Sequence, residues 1–255
     1  MALKNKTALV TGGNSGIGLA TARLLIALGA RVASTGRDRA KLDAAVAELG
    51  PQAIGIQADL NDVAALASVA KAVGEAFGKL DIVFANAGVS GATPLGATTL
   101  EAFELIVRTN LTSVFFTVQS MLPLLADGGA VVLNGSVMRE LGSAGSSAYA
   151  ATKAGVTGMA KVMAAELAPR GIRVNTVIPG ATRTPIWLRG ARAGTPLEAI
   201  ESAIAPRIPL GRFAEADEVA QAVVFLASSS GITAAEIVVD GGSIGAPWGA
   251  PMLRG

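Results

Sequence analysis

The chain reads as an α/β protein, a doubly wound parallel sheet of about seven strands with helices on both faces. Three observations lead there. Short β-branched runs alternate with longer Ala/Leu-rich amphipathic stretches. The short runs are apolar almost throughout, as strands are when both faces of their sheet are covered. Enough chain separates successive runs for a helix, so right-handed crossovers between parallel strands are the expected connections.

Taken in order, "TALVT" (7–11) is the first strand, followed by a helix over 16–28 that Gly29 closes. "RVAST" (31–35) leads into a helix over 38–49 rich in Ala, Leu, Lys and Glu. "AIGIQA" (53–58), "LDIVFAN" (80–86), "AVVLNGS" (130–136), "IRVNTVI" (172–178) and "EIVVD" (236–240) continue the alternation. Residues 99–126 and 146–169 read as long helices. The uncharged stretch 109–126 carries Asn, Gln, Ser, Thr and Pro, which marks buried helix and not a membrane span. Section 179–214, rich in Pro, Gly and Arg, breaks the pattern. It reads as a small substrate-binding lobe at about 180–212 within a single domain covering 1–255.

Composition narrows the chemistry. Of 255 residues, 51% are hydrophobic and 16% charged, which suits a globule with a large core. The net charge is +2 with no Lys/Arg-rich run, so no nucleic-acid partner is expected. The chain has no histidine and no cysteine. Disulfides, thiolate chemistry, Ser-His-Asp triads and the usual zinc sites are thereby excluded, and no metal is expected. The start, "MALKNKTALVTGG", lacks an apolar core with a cleavage site, so the expectation is a soluble cytoplasmic protein with no membrane partner.

With no histidine, acid–base work near neutral pH falls to another residue. "SSAYAATKAG" (146–155) holds the chain's single tyrosine, Tyr149, with Lys153 four places on. On a helix these positions share a face, so the two side chains are expected to touch. An ammonium about 4 Å from a phenol, at an effective dielectric of about 20, favours the phenolate by up to about 4 kcal/mol. That is roughly three pK units, enough to bring a tyrosine near neutrality. Taken alone, the segment reads first as an ordinary amphipathic helix with an incidental Tyr and Lys. Ser146 or Ser147 would cap it.

"LVTGGNSGIGLATARLL" (9–25) reads strand, glycine-rich turn, helix. Gly12 permits the tight turn, Gly16 lets backbone N–H groups approach a pyrophosphate, and Gly18 allows close helix–strand packing. The helix start adds partial positive charge for the anion.

Together these segments resemble the classical short-chain dehydrogenases/reductases, with a Rossmann-like fold, over nearly the whole chain. Thr11-Gly12-x-x-x-Gly16-Ile17-Gly18 resembles the family's cofactor turn, which adds Asn14, Ser15 and Ile17 to the expected contacts. Asn86-Ala87-Gly88 after the fourth strand resembles its second signature. Asn110, Ser136, Tyr149 and Lys153 match its catalytic tetrad, with Ser136 thirteen residues before Tyr149. Pro179, Gly180, Thr182 and Thr184 fall where the family holds the nicotinamide carboxamide and the pyrophosphate. Asp59 and Leu60 fall beside the adenine.

The resemblance implies reversible hydride transfer between a nicotinamide ring and a carbonyl or secondary alcohol. Tyr149 would give or take the proton, Ser136 would hold the substrate oxygen, and Lys153 would keep the phenol acidic and bond the ribose. Asn110 would bend its helix and hold a water linking Lys153 to solvent. The resemblance also implies a homotetramer, with the helices near 99–126 and 146–169 pairing across one interface.

NAD-users of the family commonly carry an Asp at the end of the second strand. Here Gly36 stands there, followed by Arg37, whose guanidinium could fork onto a 2′-phosphate. NADP(H) is therefore the expected cofactor, with NAD(H) possible, although Ser15 is not the basic residue of many NADP-users and Asp38 adjoins Arg37. Val89, Val137, Leu141, Ile186, Trp187 and Leu188 would give the pocket apolar surface, which favours a bulky or apolar ketone. Arg139 and Glu140 read as a solvated loop pair, and Asp81 as structural. Reduction of 3-oxoacyl groups on a carrier protein is the alternative that Arg183, Arg189 and Arg192 leave open. A catalytically silent cofactor-sensing regulator is the alternative of another class. The tail 243–255, with Trp248 and Met252, would either close a neighbour's site or fray.

Overall fold

Thr7–Val10, "TALV", buries all four residues, and five of the six in Leu80–Ala85 are buried beside it. Such strands are stable only where helices cover both faces. The computed structural model of the chain describes residues 3–188 and 194–247. Arg189, Arg192, Trp248 and Met252 lie outside the described residues.

The strands β1 (Thr7–Val10), β2 (Arg31–Gly36), β3 (Ala53–Gln57), β4 (Leu80–Ala85), β5 (Leu125–Asn134), β6 (Arg173–Pro179) and β7 (Glu236–Val239) form one sheet. Its order is β3-β2-β1-β4-β5-β6-β7, with every pairing parallel. The expected seven-stranded parallel sheet is present. The helices α1 (Gly16–Ala27), α2 (Arg39–Leu49) and α8 (Ala216–Ser228) bury Leu25, Leu49 and Val223 against Val10, Val32 and Phe84 on one face. On the other face, α3 (Val63–Phe77), α5 (Ser113–Met121) and α6 (Ser147–Leu167) pack Val69, Val118 and Val156 onto Leu9, Val83 and Val131. Asp81 is structural, as expected. It accepts hydrogen bonds from Lys6 Nζ at 2.7 Å and Thr7 N at 2.9 Å, tying β1 to β4.

The sheet order positions the site. The chain winds outward from β1 to β3, then crosses back to lay β4 on the other side of β1. Connections diverge at that reversal and leave a crevice beyond the strand ends, where open α/β sheets bind ligands. The turn after β1 and the Asn86-Ala87-Gly88 segment after β4 face each other there.

Three elements differ from expectation. The helix expected over 99–126 is α4 (Leu100–Val107), one π-helical turn (Arg108–Thr112) and α5, ending at Met121. Pro123 lacks an N–H and stops it. Strand β5 begins at Leu125, five residues before 130, then slips register between Leu80↔Leu125 and Ile82↔Ala130. Gly128, at φ 77°, lets the chain bulge there. The lobe also contains a helix, α7 (Leu197–Ile204), whose Ile200 packs with Ile208 and Phe213.

Candidate active site

The turn after β1 fits a dinucleotide phosphate on steric grounds. Gly12 and Gly16 adopt φ 65° and 52°, a region that favours glycine. A Cβ on Gly18 would strike the Gly12 carbonyl, its carbon only 2.9 Å away, so α1 packs on the turn only because that position is bare. Ser15 precedes α1 without a side-chain cap, leaving the first N–H groups of the helix for an anion. Ile17 turns back into the sheet core. Thr184, from the lobe, leans over Gly16, where a Cβ would meet it at 3.1 Å.

Asn86 joins the two loops. Its Nδ2 donates to Thr11 O at 2.9 Å, while Asn86 N and Ala87 N both donate to Thr11 Oγ1, at 2.9 and 3.0 Å. Asn134, at the end of β5, donates from Nδ2 to Asn86 Oδ1 at 2.9 Å. Its main-chain oxygen accepts from Lys153 Nζ at 2.7 Å. A continuous chain of hydrogen bonds thus runs from Lys153 through Asn134 and Asn86 to the glycine turn. Asn134 was not among the residues expected at the site.

The four residues expected to do chemistry converge at the ends of β4 and β5. Ser136 is buried just past β5 and accepts from Met138 N at 3.2 Å. Tyr149, half-buried in the first turn of α6, lies beside Ser136. Asn110 is fully buried in the π turn, its Oδ1 accepting from Val89 N and its Nδ2 donating to Val89 O, both at 2.8 Å. The amide therefore clamps the chain after β4. A Cβ on Gly88 would lie 3.1 Å from Asn110 Oδ1 and 3.8 Å from Lys153 Nζ, so Gly88 is the gap between them.

One expectation about this group is corrected. The Lys153 ammonium does not bring the phenol toward neutrality. Its Nζ lies 5.8 Å from the Tyr149 ring centroid and is held by Asn134. Burial pushes the Tyr149 phenol above its ordinary value, and the Ser136 hydroxyl beside it only partly offsets this. Burial likewise pulls Lys153 down to about 8.

At the end expected to face the adenosine, Arg37 is exposed, and among the described residues its guanidinium has no hydrogen bond or ion pair. Its neighbour Asp38 is engaged elsewhere, capping α2 through Lys41 N at 3.1 Å and pairing with Lys41 Nζ at 3.6 Å. Asn14 folds over Gly36, where a Cβ would meet its amide at 2.9 Å. Asp59 is exposed past β3 and accepts from Asn61 N at 3.1 Å. Leu60 sends its side chain into the core, which leaves only its main chain for a ligand. On the side expected to face the nicotinamide, Pro179 ends β6 and Gly180 N donates to Val239 O at 2.9 Å. A Cβ on Gly180 would strike Asp240 Cα at 2.7 Å. Thr182 is buried, and its oxygen accepts from Trp187 Nε1 at 2.8 Å and Thr184 Oγ1 at 3.4 Å.

The substrate side brings further corrections. Arg139 and Glu140 are not a solvated loop pair. Arg139 is largely buried and ion-pairs with Glu236 of β7 as well as with Glu140, at 2.7 Å to the latter. Lys161 joins Glu236 at 3.3 Å. Burial would raise the Glu236 carboxyl, but the Arg139 and Lys161 hydrogen bonds prevail and hold it below the usual range. Trp187 stacks on Phe213 with centroids 5.1 Å apart. Arg183 is committed to Glu201 and Glu215. Val137 is buried, whereas Val89, Leu141 and Ile186 are half-buried and Leu188 is exposed. Ser146 does not cap α6. Thr93 takes that place: its Oγ1 accepts from Ala148 N at 3.1 Å. Neither Thr93 nor Asn134 carried a local signal, because their partners lie far away in the chain.

This arrangement has counterparts among known proteins. A family model described as enoyl-(acyl carrier protein) reductase matches residues 12–243. The chain is 41% identical over 244 residues to an oxidoreductase, asL5, of Sarocladium schorii, covering 94% of this chain and 96% of that one. It is 37% identical over 251 residues to a 3-oxoacyl-[acyl-carrier-protein] reductase of Thermotoga maritima, covering 96% and 100%. Among solved structures, a short-chain dehydrogenase from Burkholderia cenocepacia in complex with NADP superposes with a TM-score of 0.86. It shares 37% identity and is covered to 99% by 95% of this chain. Among the described residues, no helix is long and apolar enough to cross a membrane.

Proposed function

The chain belongs to the short-chain dehydrogenase/reductase family of NAD(P)-dependent oxidoreductases, and on that premise we propose that it interconverts a bulky or apolar ketone and its secondary alcohol with NADP(H). One observation carries the reading. The chain's single tyrosine is half-buried beside Ser136 and backed by buried Lys153, next to a turn shaped for a dinucleotide.

The bound nicotinamide supplies or accepts the hydride. What remains falls to this chain's residues. In reduction, negative charge grows on the substrate oxygen. Ser136 Oγ donates a hydrogen bond to that oxygen, and Tyr149 Oη gives it a proton. Buried Lys153 would supply positive charge to the phenolate left behind. Asn110 holds Val89, and with it the wall of the pocket. Gly12, Asn14, Ser15, Gly16 and Gly18 would cradle the pyrophosphate. Arg37 would meet the 2′-phosphate, and Pro179, Gly180, Thr182 and Thr184 would close over the nicotinamide end.

The half-buried apolar residues Val89, Leu141 and Ile186 support an apolar substrate. Reduction of a 3-oxoacyl thioester is the second reading, favoured by the Thermotoga maritima relative's name. It is weakened by the commitment of Arg183 to Glu201 and Glu215, which withdraws one basic group from a carrier protein. A cytoplasmic homotetramer fits both readings.

A panel of ketones, secondary alcohols and a 3-oxoacyl thioester, followed at the nicotinamide absorbance with NADPH and NADP, tests these readings. Fastest turnover of bulky ketones is expected. Tight cofactor binding without turnover of any substrate would replace the enzyme reading with a cofactor sensor.

A further inference from the structure

The first turn of α6 is capped from outside its own sequence. Ser146, the residue before the helix, has φ −117° and ψ 22°, not the extended backbone of a capping serine, and its side chain makes no cap. The N–H of Ala148 donates instead to Thr93 Oγ1 at 3.1 Å, across 55 residues of sequence. Thr93 is only 2% exposed. Its own N–H donates to Gly145 O at 2.7 Å, and it forms a parallel bridge with Ser146. The opposite end of this short segment is held at Val89 by both polar atoms of the Asn110 amide. Ser90 Oγ reaches Ile186 O in the lobe at 3.5 Å. Residues 89–93 therefore bridge Asn110, the lobe and the start of α6.

We infer that Thr93 is a positioning residue for Tyr149, capping α6 one residue before the tyrosine and linking the pocket wall to the proton donor. The physical reason is local. Helix ends carry unsatisfied N–H groups and fray when uncapped, and here the fraying turn would carry the phenol away from Ser136. A pocket wall that moves on binding substrate would pull on the same hydroxyl. The inference rests on the reading of Tyr149 as the proton donor.

Thr93→Val keeps the branched shape and the main-chain bond to Gly145 but removes the acceptor. Thr93→Ser keeps the acceptor. In Thr93→Val, kcat for ketone reduction is expected to fall about tenfold, or about 1.4 kcal/mol, with about tenfold faster hydrogen exchange at the Ala148 and Tyr149 amides. The Kd for NADPH should stay within about twofold, and Thr93→Ser should match the wild type in all three readouts. Unchanged exchange in Thr93→Val would show that no cap exists. Faster exchange with unchanged kcat would show that the cap does not position the phenol. Equal losses in both variants would mean general packing. Each of these overturns the inference alone. A wild type that binds NADPH yet turns over no ketone would overturn the Tyr149 reading, and this inference with it.

Discussion

The main-chain oxygen of Asn134 accepts a hydrogen bond from the Lys153 ammonium at 2.7 Å, and this contact fixes the lysine 5.8 Å from the Tyr149 ring centroid. The lysine is thus tied to the sheet, and through Asn134 and Asn86 to the glycine turn. Burial, not mutual attraction, dominates the protonation of both groups.

This sets the pH dependence. The Tyr149 phenol is raised above its ordinary value, so it stays protonated through the neutral range. Lys153 is lowered to about 8 and is the first of the two to titrate as pH rises. Loss of its charge removes the field that stabilises the developing phenolate. The kcat/KM for NADPH in ketone reduction, which reports groups of the free enzyme, should be level below pH ~7 and fall through a limb near pH ~8. A profile that stays level through pH ~8 and falls only further into the alkaline range would refute the assignment to Lys153.

Tyr149→Phe keeps the ring and its packing while deleting the proposed proton donor. Removal of a general acid typically costs about 10²–10⁴ in rate, and that loss is expected in kcat. Cofactor affinity, measured by fluorescence titration, should change by less than about threefold, or about 0.7 kcal/mol. Retention of more than about a tenth of the wild-type kcat would show that the proton comes from elsewhere.

The sheet was legible because each strand is a continuous apolar run, and such runs need no partner to be recognised. The start of β5 was not, because the bulge at Gly128 and Gly129 splits the strand and hides its first residues. Helix α7 escaped for a related reason: Leu197, Ile200 and Ile204 keep helical spacing, but Pro and Gly around them mask it. At the site, Tyr149, Lys153 and the glycine turn are legible because their spacing is local. Thr93 and Asn134 are not, since their partners Ala148 and Asn86 lie 55 and 48 residues away. Helical spacing correctly put Tyr149 and Lys153 on one face. It could not show that a flexible lysine stem finds a better acceptor on β5.

The proposed assembly has a candidate surface. Phe103, Phe115 and Val162, on α4, α5 and α6, are 39%, 38% and 58% exposed, an apolar face that favours burial against another copy. The expected homotetramer would be about four times 25.4 kDa by light scattering. Phe115→Glu should break that face and yield a smaller species. A wild-type mass equal to one chain at micromolar concentration would refute the assembly.

The proposed preference for NADP(H) rests on Gly36 and Arg37. The Arg37 guanidinium is exposed, and because Asp38 is held by Lys41, the neighbouring carboxylate does not compete for it. A hydrogen bond to a charged group contributes about 1.5–3 kcal/mol, and a guanidinium can offer a phosphate two. Arg37→Ala should therefore weaken NADPH by roughly 10- to 100-fold, at about 1.4 kcal/mol per decade. NADH lacks the 2′-phosphate and should change little. Gly36→Asp places a carboxylate against that phosphate and should favour NADH. Its Cβ would also meet the Asn14 amide at 2.9 Å, so that side chain must swing aside. Pairing it with Asn14→Ala separates the charge effect from the crowding. The measurement is kcat/KM for both cofactors in the wild type and each variant. A wild type that prefers NADH, or an equal loss for both cofactors in Arg37→Ala, would reduce Arg37 to a solvated surface residue.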